Sequence, residues 1–88
     1  MSSYIGGSAY AMSRDIAEGL ILVNAAILKK FSPAELKALQ FELDKVQKEA
    51  RADQPALDDT QAIQRRGRKL SRITTALQII QMALNTRR

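Results

Sequence analysis

Apolar side chains are spaced along this chain in three stretches of helical period. Between residues 33 and 52, Leu36, Leu39, Leu43, Val46 and Ala50 step by three and four. That spacing places them on one helix face, in the rhythm of a coiled-coil seam. The stretch opens with Ser32-Pro33-Ala34-Glu35. Serine is a good N-cap, proline suits the first helical position, and a glutamate three residues after the serine completes a capping box. Phe31 and Leu36 occupy the two staple positions around that cap. Glu42–Lys45, Asp44–Lys48 and Lys45–Glu49 stand at ion-pairing separation along the helix. Phe41 points away from the seam, nearly opposite to it.

A second seam, Ile63, Leu70, Ile73, Leu77, Ile80 and Leu84, follows a heptad rhythm and predicts a helix over residues 58–86. Asp58 or Asp59 caps its start, and Arg87-Arg88 suit the negative end of its dipole. Gly67 inside it costs about 1 kcal/mol relative to alanine. It reads either as a tolerated surface glycine or as a place where a partner's backbone comes close. Arg66 falls in the middle of the apolar arc. A guanidinium there requires either an opening to solvent or a carboxylate, with Glu18, Glu49 and Asp53 as candidates.

The remaining stretch, residues 9–30, differs in kind. Ile16, Leu20, Val23 and Ile27 make one stripe, and Ala17, Ile21 and Leu28 make a second about 100° away. Leu22 and Ala26 extend the apolar surface to the other side, and from Leu20 to Leu28 only Asn24 is polar. A helix that is apolar nearly all round must be covered on most sides. Two sibling helices cover about two of its faces, so a further partner is expected. Ala76, Ile79 and Ala83 form another apolar stripe in the last turns of the final helix.

These patterns predict an all-α fold. It is a three-helix bundle, or a helical hairpin with an additional N-terminal helix, and is expected to be oligomeric. The 88 residues form one domain, with a small-residue leader over 1–8 and helices over about 9–30, 33–52 and 58–86. Breaks fall at Ser32-Pro33 and Asp53-Gln54-Pro55. A chain this short buries only about 60–65% of its unfolded surface, which makes an added interface valuable.

Composition narrows the chemistry. With 45% hydrophobic residues the chain has the apolar content to fold. It has no Cys, His or Trp, which removes disulfides, zinc sites of the usual kind, thiol nucleophiles and imidazole acid–base catalysis. The carboxylates Asp15 and Glu18 lie one turn apart and Asp58-Asp59 are adjacent, but dipole complementation and capping account for them. No Gly-rich phosphate loop or metal-ligand spacing is present, so neither cofactor nor metal is expected, and an enzyme is not.

Charge is unevenly distributed. Residues 1–59 carry seven basic and all nine acidic side chains, and residues 60–88 carry seven basic side chains and no acid. Arg65, Arg68, Lys69 and Arg72 fall within an arc of about 100° on the last helix. Such a face contacts nucleic-acid phosphates, pairs with the acids of the preceding helix, or is simply solvated. No aromatic residue is interleaved to stack on bases.

The first residues, MSSYIGGSAYAMSRD, have no basic residue before Arg14, and Ala9-Tyr10-Ala11 precedes the apolar run rather than following it. No secretion signal is expected, and the ten-residue apolar run, Gly19 to Leu28, is shorter than the ~20 residues of a membrane span. A cytoplasmic protein is expected.

Pro33-Ala34-Glu35-Leu36-Lys37-Ala38-Leu39-Gln40-Phe41 resembles the turn and second-helix start of type III secretion needle subunits. The resemblance implies a small polymerising helical hairpin behind a polar leader. It covers nine residues of 88, and Pro55 breaks what is one continuous helix in those subunits. Leu57 to Gln64 is similar to the second helix of the needle's small co-chaperones.

The expected function is therefore non-enzymatic. It is that of an assembly or adaptor protein burying Leu20, Ile21, Leu22, Leu28, Phe41 and Ile79 against copies of itself or against a helical partner. A nucleic-acid-binding accessory protein using Arg65, Arg68, Lys69 and Arg72 is the alternative, and a small secretion-apparatus subunit or co-chaperone is a weaker one.

Overall fold

The computed structural model describes residues 4 and 7–86. Four helices pack against one another: α1 (Ala9–Ala17), α2 (Ala25–Leu28), α3 (Pro33–Ala52) and α4 (Thr60–Thr86). Among the described residues there is no strand. The expected leader over 1–8 and the dipole role of Arg87-Arg88 fall largely outside the described residues.

α3 and α4 form the hairpin, and α1 packs against both. The capping box of α3 is formed on both sides: Glu35 N–H donates to Ser32 Oγ at 3.1 Å, and Ser32 N–H donates to Glu35 Oε1 at 2.9 Å. Leu36, Leu39, Leu43, Val46 and Ala50 are all buried, as their spacing requires. On α4 the seam is narrower than its sequence. Ile73 and Ile80 are fully buried, Leu70, Leu77 and Leu84 are half-buried, and Ile63 is exposed. Asp59 rather than Asp58 caps α4, its Oδ1 accepting from Ala62 N–H at 3.1 Å. Of the three ion pairs along α3, Glu42–Lys45 and Asp44–Lys48 form at 3.1 and 3.2 Å, whereas Glu49 turns instead to Arg14 of α1 at 2.9 Å.

The expected helix over 9–30 is broken. α1 ends at Ala17, and Gly19 adopts φ +80°. Gly19 N–H donates to Ile16 O at 3.1 Å and Leu20 N–H donates to Asp15 O at 2.9 Å. Those two bonds across a left-handed residue are a Schellman closure, which satisfies terminal carbonyls and turns the chain out of the helix. Only four residues, α2, regain helical form, with Asn24 as N-cap. The apolar run thus contributes single side chains, Val23 and Leu28, and Phe31 follows them into the core that Met12, Ile16 and Ala17 share. A helix apolar on all sides does not exist here, and the surplus lies elsewhere.

Tyr4 closes one end of this core. Its ring meets Phe31 edge-on at 5.3 Å between centroids, and its hydroxyl donates to Glu35 O at 2.7 Å. Burial first, and the nearby Glu35 charge second, raise the phenol above its ordinary value.

Candidate functional site

Leu20 and Leu22 follow the Schellman closure and stand out of it, 75% and 83% exposed. Ile21, between them, is half-buried against the core. Ile79 of α4 is half-buried, with Met82 one turn on at 66% exposure. Leu28 does not belong with them. It is 1% exposed because α2 turns it into the core, so its side chain is not available to a partner. Phe41 is 63% exposed but lies elsewhere, in a groove along Gln78 and Gln81, with Lys45 Nζ 5.0 Å from its ring centroid. The expected set therefore separates into Leu22 and Ile79 along one face, Leu20 exposed just before it in the chain, and an isolated aromatic.

Two adjoining hollows run along that face. One, of about 300 Å³, lies between Ile21, Leu22 and Val23 and the α4 residues Arg72, Thr75 and Ala76. The next, of about 430 Å³, lies between Ala25, Leu28 and Lys29 and the α4 residues Ile79, Met82 and Ala83. Both chain segments advance in the same direction, so the hollows follow one another along a face running from Ser71 to Thr86. At 1.5 Å per residue that face is about 22 Å long. No carboxylate lines either hollow; Arg72 and Lys29 are the charged residues at its margins. Met82 and Ala83 complete the i, i+3, i+4 pattern begun by Ile79. Ala83 was legible in the stripe with Ala76, whereas Met82 sits one step off it.

Two of the four cations in the basic arc of α4, Lys69 and Arg72, are engaged within the chain. Arg72 Nη1 donates to Ala17 O at 2.7 Å, satisfying an open carbonyl at the end of α1 and placing a cation at the negative end of its dipole. Lys69 lies 3.5 Å from Glu18 of α1, not from an acid of the preceding helix. Arg66 needs no carboxylate. Its Nε donates to Ala50 O at 3.0 Å and its Nη2 to Arg51 O at 2.9 Å, capping the C-terminus of α3. Arg65 and Arg68 stay exposed, without an ion pair among the described residues. Arg14 joins the same groove, of about 610 Å³. Burial opposes its charge, but the hydrogen bonds from Nη2 to Glu49, at 2.9 and 3.2 Å, outweigh that and raise its pKa. The groove thus holds six cations against Glu18, Glu49 and Asp53 and two helix C-termini.

Gly67 has open space where a Cβ would stand, so nothing within the chain approaches its backbone. Among the described residues no cluster of Asp and Glu gathers to hold a metal ion, and no helix is long and apolar enough to cross a membrane. Comparison of the chain with protein-family models, curated proteins and solved structures gives no match. The likeness of residues 33–41 to needle subunits accordingly rests on those nine residues alone.

Proposed function

We propose that this protein is a non-enzymatic assembly or adaptor protein, and that it associates through the face formed by residues 20–29 and the C-terminal half of α4. The observation that supports this is the apolar surface left open there: Leu22 and Met82 are exposed and line two hollows without carboxylates, and Leu20, two residues before Leu22, is exposed as well. Three such side chains, fully buried, contribute on the order of 5–9 kcal/mol. Association costs about 4–15 kcal/mol in lost freedom, so the contact is one of modest affinity that a few further contacts make stable.

The basic arc favours nucleic acid less, because Lys69 and Arg72, two of its four cations, already hold the end of α1. The test is the solution mass by light scattering at low and high salt, for the native chain and for Leu22→Asp combined with Met82→Glu. Both positions are exposed, so the fold survives the change. Apolar association persists at high salt and is lost in the double variant. A chain that is monomeric at every concentration, captures no protein through this face and binds no hydrophobic dye refutes the proposal. Steeply salt-dependent retention on DNA, abolished by Arg65→Glu with Arg68→Glu, would support nucleic-acid binding instead.

A further inference from the structure

We infer that the occupant of this face is the α3–α4 turn of a second copy. The inference rests on the face proposed above and adds its partner. Leu57 is 97% exposed, the most exposed large apolar side chain among the described residues. It sits at the head of a turn closed by Asp59 N–H donating to Ala56 O at 3.0 Å. That turn is held in shape before any contact, which lowers the cost of ordering it on binding. Beside Leu57 stands Asp58, exposed and in no ion pair among the described residues. The turn is therefore an apolar knob with an acidic neighbour. The face on α4 is the converse: hollows with apolar floors, Lys29 and Arg72 at the margins, and no carboxylate. Lys29 is exposed and makes no ion pair among the described residues.

A chain cannot dock its own turn. The turn precedes the first residue of α4, and the larger hollow lies along its last turns, so Thr60 to Met82 separates them by about 33 Å of helix in a molecule 46 Å long. Knob and hollow at opposite ends allow an antiparallel pair, in which each copy's knob enters the other's hollow, or a heterologous, head-to-tail contact. The head-to-tail contact leaves a free knob and a free hollow at the ends of every pair, and copies add until the rotation closes a ring or an open chain results. Two copies paired face to face would instead set Lys29 and Arg72 of one against those of the other, and charge disfavours that arrangement.

The experiment uses the full chain and two variants at exposed positions, Leu57→Asp without the knob and Met82→Glu without the hollow. Circular dichroism confirms that both fold. In sedimentation velocity the mass of the native chain should rise with concentration, and each variant alone should weaken association at least about tenfold. Mixed together, the variants should form a one-to-one pair that grows no further, because one supplies the hollow and the other the knob. A native chain that stays monomeric at every concentration overturns the inference. Loss of association in Met82→Glu but not in Leu57→Asp also overturns it, while the proposed face stands. Native-like association in both variants removes the face as well. A native chain that stays monomeric but binds vesicles rich in phosphatidylserine through Met82 identifies an anionic lipid surface as the occupant, and the second copy falls.

Discussion

Replacing Gly19 by alanine separates the broken N-terminal segment from a continuous helix by the sign of one free energy. Gly19 sits at φ +80°, where an L side chain costs about 1–2 kcal/mol. Its added Cβ would stand 3.1 Å from both Cζ and Nε of Arg72, closer than ordinary contact. Arg72 is tied by its 2.7 Å bond to Ala17 O, so yielding a few tenths of an ångström weakens a charged hydrogen bond. Together these predict a loss of about 1–3 kcal/mol. For a domain of this size that is a fall in Tm on the order of 5–20 °C. Were residues 9–30 one helix, the same substitution would raise stability by about 1 kcal/mol. Urea unfolding followed by circular dichroism decides between them. In an Arg72→Ala background the crowding disappears and only the backbone cost, about 1–2 kcal/mol, should remain. A neutral or stabilising Gly19→Ala refutes the Schellman closure.

Arg66→Met should cost about 1–3 kcal/mol in urea unfolding, because two terminal carbonyls of α3 lose a charged donor; an unaffected midpoint would show that water replaces it freely. Ser32→Ala removes the cap of α3 and should cost about 1 kcal/mol by the same assay. Tyr4 has a folded pKa above 10.0, so its contribution to stability is full below pH 10.0 and is lost as pH rises through the folded value. Ultraviolet titration of the native chain and of Tyr4→Phe should place the Tyr4 step above 10.0, and a step at or below that value contradicts the buried contact with Phe31 and Glu35.

The seam of α3 was legible because every element of it is local: a cap, a box and a 3-4 spacing that each residue obeys. The end of α1 was also written in the sequence, as a glycine directly after Glu18, but the apolar run from Leu20 to Leu28 masks it by continuing the helical period. Those residues serve the core one at a time, through Val23 and Leu28, and a periodic template cannot distinguish that from a stripe. For Arg66 the sequence offers solvent or a carboxylate, and for Arg72 phosphates, an acidic side chain or solvent, because side chains are what a sequence shows. Their actual partners are backbone carbonyls at helix ends, which appear only once the helices stop. Leu22 and Ile79 on the candidate face, and Leu20 just before it in the chain, were visible as surplus apolar residues. Leu57 has no periodic context at all, so only its exposure in the folded chain brings it forward.

At nine residues, α1 is shorter than the ~12–15 that hold a helix in water unaided. It persists because Met12, Ile16 and Ala17 are buried against α3 and α4, with Arg72 holding its far end. α1 is thus a guest on the α3–α4 hairpin, and its helical form depends on that host. Its amides should exchange with solvent deuterium sooner than those of Leu39 or Ile80. A molecule that settles across Leu22 and Met82 would tie the segment that follows α1 to the host, and slowed exchange in α1 would register its arrival.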